Sequence, residues 1–263
     1  MAKDRRKIVF WRRAKPLRKY DIVVVRPASL PKGKRFETLD DVRAESERSE
    51  KLLTQAGKVS SPFAATMSEC RQGDHCCAKP YCPICARTFR RWLIGELLRI
   101  TQGKSAKMMT VLLKAAERTQ IESLDPRSYS HLLRKRLQRA GFDKTPIIGG
   151  YEMVYRAREK CWILHINLVI IGGDKSAFDK FRGSFSNSEF DRPVVMLELK
   201  DRPEQLSYVL KFTTYHRPNQ KDARPLNRRE HNELVKWMAQ FEFPDCLFLF
   251  NARRQGSKIV TAF

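Results

Sequence analysis

The fold is decided by one segment: Trp162-Ile163-Leu164-His165-Ile166-Asn167-Leu168-Val169-Ile170-Ile171. Its apolar, partly β-branched side chains predict a single buried β-strand. Because side chains alternate between the two faces of a strand, the two polar residues, His165 and Asn167, point to the same face. The segment therefore places two potential metal ligands within a small area of a rigid scaffold.

Strand-like segments on either side of this one define the rest of the sheet. Residues 147–155 precede it across the short polar turn 156–160, which predicts a hairpin with 162–171. Further strands are predicted at residues 108–113, 194–199 and 246–251. Helices are predicted at residues 38–57, 86–101, 129–139, 201–215 and 227–240. Because strands joined by short connections pair antiparallel, we expect an α+β fold with one central antiparallel sheet and helices on one face.

Composition divides the chain into three parts. We expect residues 1–60 to form a basic, loosely ordered N-terminal arm. We expect residues 61–102 to form a cysteine-rich zinc module that ends in a basic helix. Residues 103–263 contain all the strands predicted for the central sheet and form the main domain.

Charge indicates the class of partner. The chain of 263 residues carries a formal charge of +23, from 52 Lys and Arg against 29 Asp and Glu. Such an excess favours polyanions, and its spread over the whole sequence predicts a broad nucleic-acid surface. A ribosomal or RNA-coating protein has the same composition, so charge alone leaves that alternative open. The residues that we expect to contact phosphates lie on two basic helices: Arg87, Arg90, Arg91, Arg134, Lys135 and Arg136.

The sequence has no apolar segment close to the ~18 residues of a membrane span. No signal-peptide apolar region follows the basic N-terminus either. We therefore expect a cytoplasmic protein without a membrane partner. In that compartment, cysteines are thiols or metal ligands rather than disulfides.

Five of the seven cysteines are clustered just before the first basic helix. Tetrahedral zinc needs four thiolate or imidazole ligands, and short spacings such as Cys-x-x-Cys let one loop supply them. The ligand set that we expect is Cys70, Cys77, Cys82 and Cys85, with Cys76 or His75 as substitutes. This zinc would be structural, because the set leaves no open position, and it would brace the helix that follows. Unmetallated thiols are the alternative.

A second metal site is predicted around the central strand. His165 offers a nitrogen and Asn167 a carbonyl oxygen, and two buried polar groups both need partners. Glu152, on the strand that is expected to pair with this one, can complete the site with a carboxylate. This mixture of nitrogen and oxygen ligands suits Mg²⁺ or Mn²⁺ better than zinc.

A tyrosine and a lysine on the predicted helix 201–215 complete the chemistry. Tyr208 and Lys211 are three residues apart and so share one helix face, with Tyr215 further along the same side. A free tyrosine has a pKa of about 10, so its phenolate costs roughly 4 kcal/mol at pH 7. A nearby ammonium group and a metal ion lower that cost. The phenolate could then attack a phosphorus atom and form a 5′-phosphotyrosine linkage with a free 3′-hydroxyl.

Taken in order, these motifs resemble the rolling-circle replication initiators of small plasmids, which belong to the HUH endonuclease superfamily. The resemblance covers about residues 70–215. It rests on the cysteine segment 77–85, the strand Met109-Thr110-Val111-Leu112, and the hairpin of Glu152-Met153-Val154-Tyr155 with 162–168. The segment Tyr208-Val209-Leu210-Lys211-Phe212 resembles the nucleophile helix. The family has His at both metal positions of the strand, whereas this chain has Asn167 at the second, where related branches have Gln.

The resemblance implies a five-stranded antiparallel sheet in residues 103–263, a nuclease-like domain of the HUH type. It implies that Tyr208 is the nucleophile, helped by Lys211, and that Mg²⁺ or Mn²⁺ is held by His165, Asn167 and Glu152. The implied activity is nicking and rejoining of single-stranded or hairpin origin DNA, with a host helicase as a further partner. Tyr215 stays open as an alternative nucleophile.

Two other functions stay open. A catalytically degenerate protein of this fold would bind DNA or RNA through the zinc module and the basic surface, and Asn167 favours that alternative. A transposase or relaxase of the same superfamily would share the chemistry, but the cysteine segment resembles the replication initiators more.

Overall fold

The computed structural model describes residues 39–200, 202–211 and 226–262. It also describes the backbone of two short antiparallel pairs, Val24–Val25 with Lys34–Arg35 and Tyr215–His216 with Arg224–Pro225. Apart from the first pair, residues 1–38 of the predicted N-terminal arm lie outside the described residues.

Five antiparallel strands form the central sheet: β1 (Ala106–Glu117), β2 (Ile147–Arg156), β3 (Cys161–Ile171), β4 (Val194–Glu198) and β5 (Leu247–Phe250). Their order across the sheet is β4-β1-β3-β2-β5, so β3, which carries His165 and Asn167, lies in the centre. A hairpin of β6 (Ala252–Gln255) and β7 (Lys258–Thr261) follows β5. The α+β class, the antiparallel sheet and its five predicted strands are therefore confirmed.

Eight α-helices in the described residues surround the sheet. They are α1 (Leu39–Gln55), α2 (Ser61–Gln72), α3 (Pro83–Thr101), α4 (Pro126–Ala140), α5 (Lys175–Gly183), α6 (Arg202–Ser207), α7 (Arg228–Ala239) and α8 (Phe243–Cys246). A 3₁₀-helix, Arg118–Ser123, follows β1. Within these described residues, no helix is long and apolar enough to cross a membrane.

One face of the sheet, which we call the rear face, is covered by α4 and α5. Ser130 of α4 donates a hydrogen bond to the hydroxyl of Tyr151 in β2, at 2.8 Å. The ammonium of Lys107 in β1 lies 4.9 Å from the centre of the Phe178 ring in α5. Both helices also carry buried apolar residues that join the core against the strands.

The opposite face, the site face, carries the predicted metal ligands. Glu152 lies directly opposite His165 in the strand register, so the two side chains point the same way, and Asn167 follows two residues on. Residues 208–211, which follow α6, contact this face through Tyr208 and Lys211. The turn after α6 thus lies against the site face, while α4 and α5 cover the rear face.

The predicted helix 201–215 is much shorter than expected. It ends at Ser207, and residues 208–210 form a turn. Leu210 has a φ of +62°, in the left-handed region that ends a right-handed helix. The amide of Lys211 then donates to the carboxylate of Glu152 instead of to a carbonyl one turn back. Tyr215 therefore lies in a separate two-residue strand, not on a helix face shared with Tyr208.

The N-terminal helix α1 belongs to the same apolar core as the sheet. That core runs from Leu53 in α1 to Ile259 in β7. Ser49 of α1 is hydrogen-bonded to buried His231 of α7, with 2.9 Å between Oγ and Nε2. Ser60, which precedes α2, donates to Asn232 of α7 at 2.5 Å. The helix predicted at 38–57 thus packs onto the molecule rather than standing apart in solvent.

Candidate functional site

Four cysteines come together in one cluster. The Sγ atoms of Cys70, Cys77, Cys82 and Cys85 all lie within 4.8 Å of one another. Cys85 Sγ is 3.8 Å from Cys77 Sγ and 3.9 Å from Cys70 Sγ. Tetrahedral zinc, with Zn–S distances of about 2.3 Å, separates its sulfurs by about 3.8 Å. The cluster can therefore hold a metal ion such as zinc, and its members are the four predicted from the sequence.

The cysteine cluster joins two helices to the loop between them. Cys70 lies near the end of α2, Cys82 directly precedes α3, and Cys85 lies in the first turn of α3. These three are buried, and Cys77 in the connecting loop is half-buried. The amide of Cys77 donates to Cys70 Sγ at 3.2 Å, a bond that favours a thiolate. A metal ion here would fix the start of α3 against the end of α2.

Close packing of the sulfurs also alters the acidity of the thiols. Hydrogen bonds from neighbouring thiols lower the pKa of Cys70, and the hydrogen bond to Cys70 is the largest cause that raises the pKa of Cys82 and Cys85. The predicted substitutes are placed differently. Cys76 Sγ lies 3.4 Å from Cys85 Sγ but outside the group of four, and His75 is exposed.

On the site face, His165 and Glu152 form a close pair. Nε2 of His165 lies 3.3 Å from Oε2 of Glu152, and their side chains are only 13% and 5% exposed. The Nδ1 atom of His165 is buried and has no hydrogen-bond partner among the described residues. A nitrogen and a carboxylate oxygen at this separation can ligate one ion. No third His, Cys, Asp or Glu joins them in the described part of the chain, where the cysteine cluster is the only such group.

Asn167 lies beside this pair, and both ends of its amide are occupied. Its Oδ1 accepts a hydrogen bond from the hydroxyl of Thr110 in β1 at 2.7 Å. Its Nδ2 donates to the backbone carbonyl of Tyr208 at 3.2 Å. The side chain is buried, so these contacts satisfy a group that would otherwise be costly to enclose. Asn167 thus links the central strand to the turn that carries Tyr208.

Residues 208–211, which we call the Tyr208 turn, carry both predicted catalytic side chains. Tyr208 and Lys211 are each half-exposed. The ammonium nitrogen of Lys211 lies 5.1 Å from the centre of the Tyr208 ring. The turn therefore keeps the two side chains adjacent, as predicted, although they no longer share a helix face. The side chain of Tyr215 lies outside the described residues.

The predicted phosphate-binding residues fall into two separate groups. On α3, Arg87 and Arg90 are buried, and Arg90 Nη2 donates to the carbonyl of Ser207 at 2.9 Å. Arg90 thus supports the residue just before Tyr208, and Arg91 on the same helix is half-buried. The buried guanidiniums of this group pack inside the molecule rather than facing solvent.

The second group lies on α4, against the rear face. Arg134 donates to the carbonyl of Leu249 at 2.5 Å, and Lys135 is exposed. The Arg136 guanidinium lies 4.1 Å from the centre of the Phe185 ring, and burial lowers the pKa of Arg136. The sheet separates these three residues from Tyr208, so the two predicted groups do not form one surface.

Three residues of the site escaped sequence analysis: Thr110, Gly150 and Leu210. Thr110 and Gly150 both lie opposite Asn167 in the register. A Cβ atom at Gly150 would lie 2.5 Å from Cδ1 of Leu210, so only glycine admits the turn at this point. The signal was present, because glycine inside a strand marks a bulge or the close approach of another segment.

The chain matches no protein-family model, no curated protein and no solved structure.

Proposed function

We propose that the protein nicks and rejoins single-stranded DNA through Tyr208, as an initiator of rolling-circle replication. The observation that carries the proposal is the position of the Tyr208 turn. Asn167 donates a hydrogen bond to the Tyr208 carbonyl and Glu152 accepts one from the Lys211 amide, on the same sheet face as His165. A potential nucleophile and two potential metal ligands therefore belong to one small site.

The residues present fit a hard divalent cation. Glu152 offers the carboxylate oxygen that Mg²⁺ and Mn²⁺ prefer, and Mg²⁺ commonly keeps several waters and binds through one or two carboxylates. His165 and Glu152 would supply the protein ligands, and the buried site limits competing solvent. When bound, the ion would polarise the oxygens of the scissile phosphate.

The chain's own residues then perform the transfer. The Tyr208 oxygen attacks phosphorus and forms a P–O bond, while the bond from phosphorus to the 3′-oxygen breaks. The phenol proton passes to solvent, and the departing 3′-oxygen takes up a proton to become a hydroxyl. The Lys211 ammonium, next to the Tyr208 ring, favours the phenolate and attracts the phosphate. The 5′-phosphotyrosine keeps a phosphate ester that the 3′-hydroxyl can attack again, so the strand is rejoined without ATP.

Charge supports DNA as the substrate. The excess of 52 basic over 29 acidic residues favours a polyanion. A strand reaching Tyr208 must present the scissile phosphate to a half-exposed turn, which suits the flexible backbone of single-stranded DNA or of the loop of an extruded hairpin. In this proposal a host helicase opens the duplex after the nick leaves a free 3′-hydroxyl for synthesis.

The proposal is tested by a denaturing gel of labelled single-stranded oligonucleotides incubated with the protein and Mn²⁺. We expect a covalent adduct with wild-type protein and with Tyr215→Phe, and none with Tyr208→Phe. Because a specific origin sequence is needed, the oligonucleotides should include a randomised pool and hairpins. An adduct that persists in Tyr208→Phe would assign the nucleophile elsewhere, and no adduct from any pool would contradict nicking.

A second function is favoured by one observation. Both ends of the Asn167 amide are hydrogen-bonded within the protein, which leaves His165 and Glu152 as the two side chains that can ligate a metal ion. A scaffold with so few ligands could bind DNA or RNA without cutting it. The same gel separates the two functions, since this binder would shift the oligonucleotide in a native gel and leave no adduct after denaturation. A transposase or relaxase would form the same adduct, so only the sequence that it cuts separates those enzymes from a replication initiator.

A further inference from the structure

We propose that Asn167 is a positioning residue that clamps the Tyr208 turn to the sheet, and that it is not a ligand of the metal ion. The catalytic consequence of this inference rests on the proposed function, whereas the clamp itself does not. The resemblance assigned Asn167 to the ion; the hydrogen bonds assign it to the turn.

The orientation of the Asn167 amide is set by its two hydrogen-bond partners. The Tyr208 carbonyl can only accept a hydrogen bond, so the Asn167 atom that lies 3.2 Å from it is the NH₂ group. Oδ1 therefore faces Thr110, whose hydroxyl donates to it at 2.7 Å. Rotation of the amide to point Oδ1 at an ion beside His165 would disrupt the hydrogen bond from Thr110 to Oδ1 and the hydrogen bond from Nδ2 to the Tyr208 carbonyl.

The Tyr208 turn has a backbone conformation that its surroundings must stabilise. Leu210 has a φ of +62°, a conformation that costs free energy for a residue with a Cβ atom. Such a conformation persists only where the surroundings impose it. Three contacts do so: Asn167 at the Tyr208 carbonyl, Glu152 at the Lys211 amide, and the space above Gly150 that receives the Leu210 side chain.

Residues on one sheet face thus have two different roles, binding of the ion and positioning of the Tyr208 turn. His165 and Glu152 face each other and would hold the ion, while Asn167 and Thr110 hold the backbone of the nucleophile. Glu152 takes part in both tasks, since its Oε1 accepts from Lys211 and its Oε2 faces His165. An amide in place of a second imidazole thus gives up a ligand and gains a donor for the turn.

The substitution Asn167→Asp separates the two roles, because they predict opposite results. A carboxylate is a better ligand for Mn²⁺ than an amide, so a ligand role predicts unchanged or faster adduct formation. A carboxylate cannot donate to the Tyr208 carbonyl, so the clamp predicts a rate about 10- to 100-fold lower through misplacement of the phenol. Faster hydrogen exchange of the amides in residues 208–211 is expected as well, with or without DNA.

Asn167→Ala gives the complementary measurement. Mn²⁺ binding, measured by paramagnetic resonance, should stay within about threefold of wild type if Asn167 is not a ligand. A larger loss would place Asn167 among the groups that hold or support the ion and overturn the inference, because removal of such groups typically costs about tenfold or more in metal affinity. Thr110→Val should speed hydrogen exchange of the amides in residues 208–211, as Asn167→Asp does. Thr110→Ser, which keeps the hydroxyl, should leave that exchange as in wild type.

Asn251→Asp is the matched control. Its amide also donates to backbone carbonyls, those of Phe142 and Thr145, but at the end of β5 rather than at the site. It should loosen residues 142–145 and leave exchange in residues 208–211 unchanged. If Asn167→Asp leaves that exchange unchanged as well, the clamp is refuted whether or not the wild-type protein cuts DNA. If the clamp is seen but no variant or wild type forms an adduct, only the proposed function fails.

Discussion

Gly150 shows how a single missing Cβ atom admits the Tyr208 turn. Its position opposite Asn167 brings it under Leu210, whose Cδ1 a new Cβ would meet at 2.5 Å. We expect Gly150→Ala to displace the turn, lower stability by about 1–3 kcal/mol and slow adduct formation about 10-fold or more. Urea unfolding and the adduct assay measure the two effects.

Gly183→Ala is the control for that substitution. A Cβ at Gly183 meets nothing within 4 Å, and its φ is not positive, so the substitution should raise stability by about 0.4–1 kcal/mol. If Gly150→Ala behaved like Gly183→Ala in both assays, the close approach of Leu210 would play no part in placing Tyr208.

At this scale the sequence predicted which residues matter better than how they act. The alternation of β3 put His165 and Asn167 on one face, and the structure keeps them there. It could not show that Asn167 contacts Tyr208, because that hydrogen bond joins residues 41 positions apart along the chain. The burial of Arg87 and Arg90 was equally out of reach, since it depends on what packs against α3.

At the scale of elements, the cysteine cluster ties α2 to α3. We expect the purified protein to bind one zinc ion, and Cys82→Ser to lose zinc and lower the melting temperature. Cys161→Ser, outside the cluster, should retain the metal. Cys76→Ser should retain it too, which decides between Cys76 and Cys77. Native mass spectrometry and thermal unfolding provide the readouts, and full zinc content in Cys82→Ser would contradict the ligand set.

The contact between α1 and α7 predicts a pH dependence. Burial, with a smaller contribution from Arg48, lowers the pKa of His231 to about 4. The unfolded chain takes up its proton near pH 6.5, before the folded protein does. Stability should therefore be fully present above pH 6.5 and fall by up to about 3 kcal/mol as the pH drops to about 4.

This pH dependence is measured by urea unfolding between pH 7 and 4. His231→Gln should flatten that part of the curve, and His131→Gln, a change at an exposed histidine, should leave it as in wild type. If the stability of His231→Gln still fell steeply between pH 7 and 4, groups other than His231 would control the loss of stability in acid.

Elements were predictable where their signal is local. Long apolar runs bounded by turn residues predicted all five strands, and charged periodicity predicted α1. The end of α6 was not predictable, because it depends on hydrogen bonds from distant residues. Asn167 donates to the Tyr208 carbonyl and Glu152 accepts from the Lys211 amide, two backbone groups that a longer helix would have paired internally. Helices α2 and α5 were missed, although Ser60 before α2 and Asp174 before α5 occupy N-cap positions.

For the whole molecule, charge predicts salt-dependent DNA binding, and the fold limits its extent. In the proposed mode of binding, a short strand follows the site face and does not contact α4 on the rear face. Combined Arg134→Ala, Lys135→Ala and Arg136→Ala should therefore leave the salt dependence for an oligonucleotide of about ten bases unchanged. A salt slope reduced by about two, as expected for loss of three single-strand contacts, would place the DNA across the rear face instead. Fluorescence anisotropy at several salt concentrations gives the slope.

The central claim is that Tyr208 lies close enough to His165 and Glu152 to carry out phosphoryl transfer. Its most direct test is peptide mapping by mass spectrometry of protein incubated with single-stranded DNA and Mn²⁺, then digested with nuclease and protease. We expect a nucleotide attached to the peptide that contains Tyr208, and its disappearance in His165→Ala. A nucleotide attached to Tyr215, or an equal yield on Tyr208 in His165→Ala, would contradict the account.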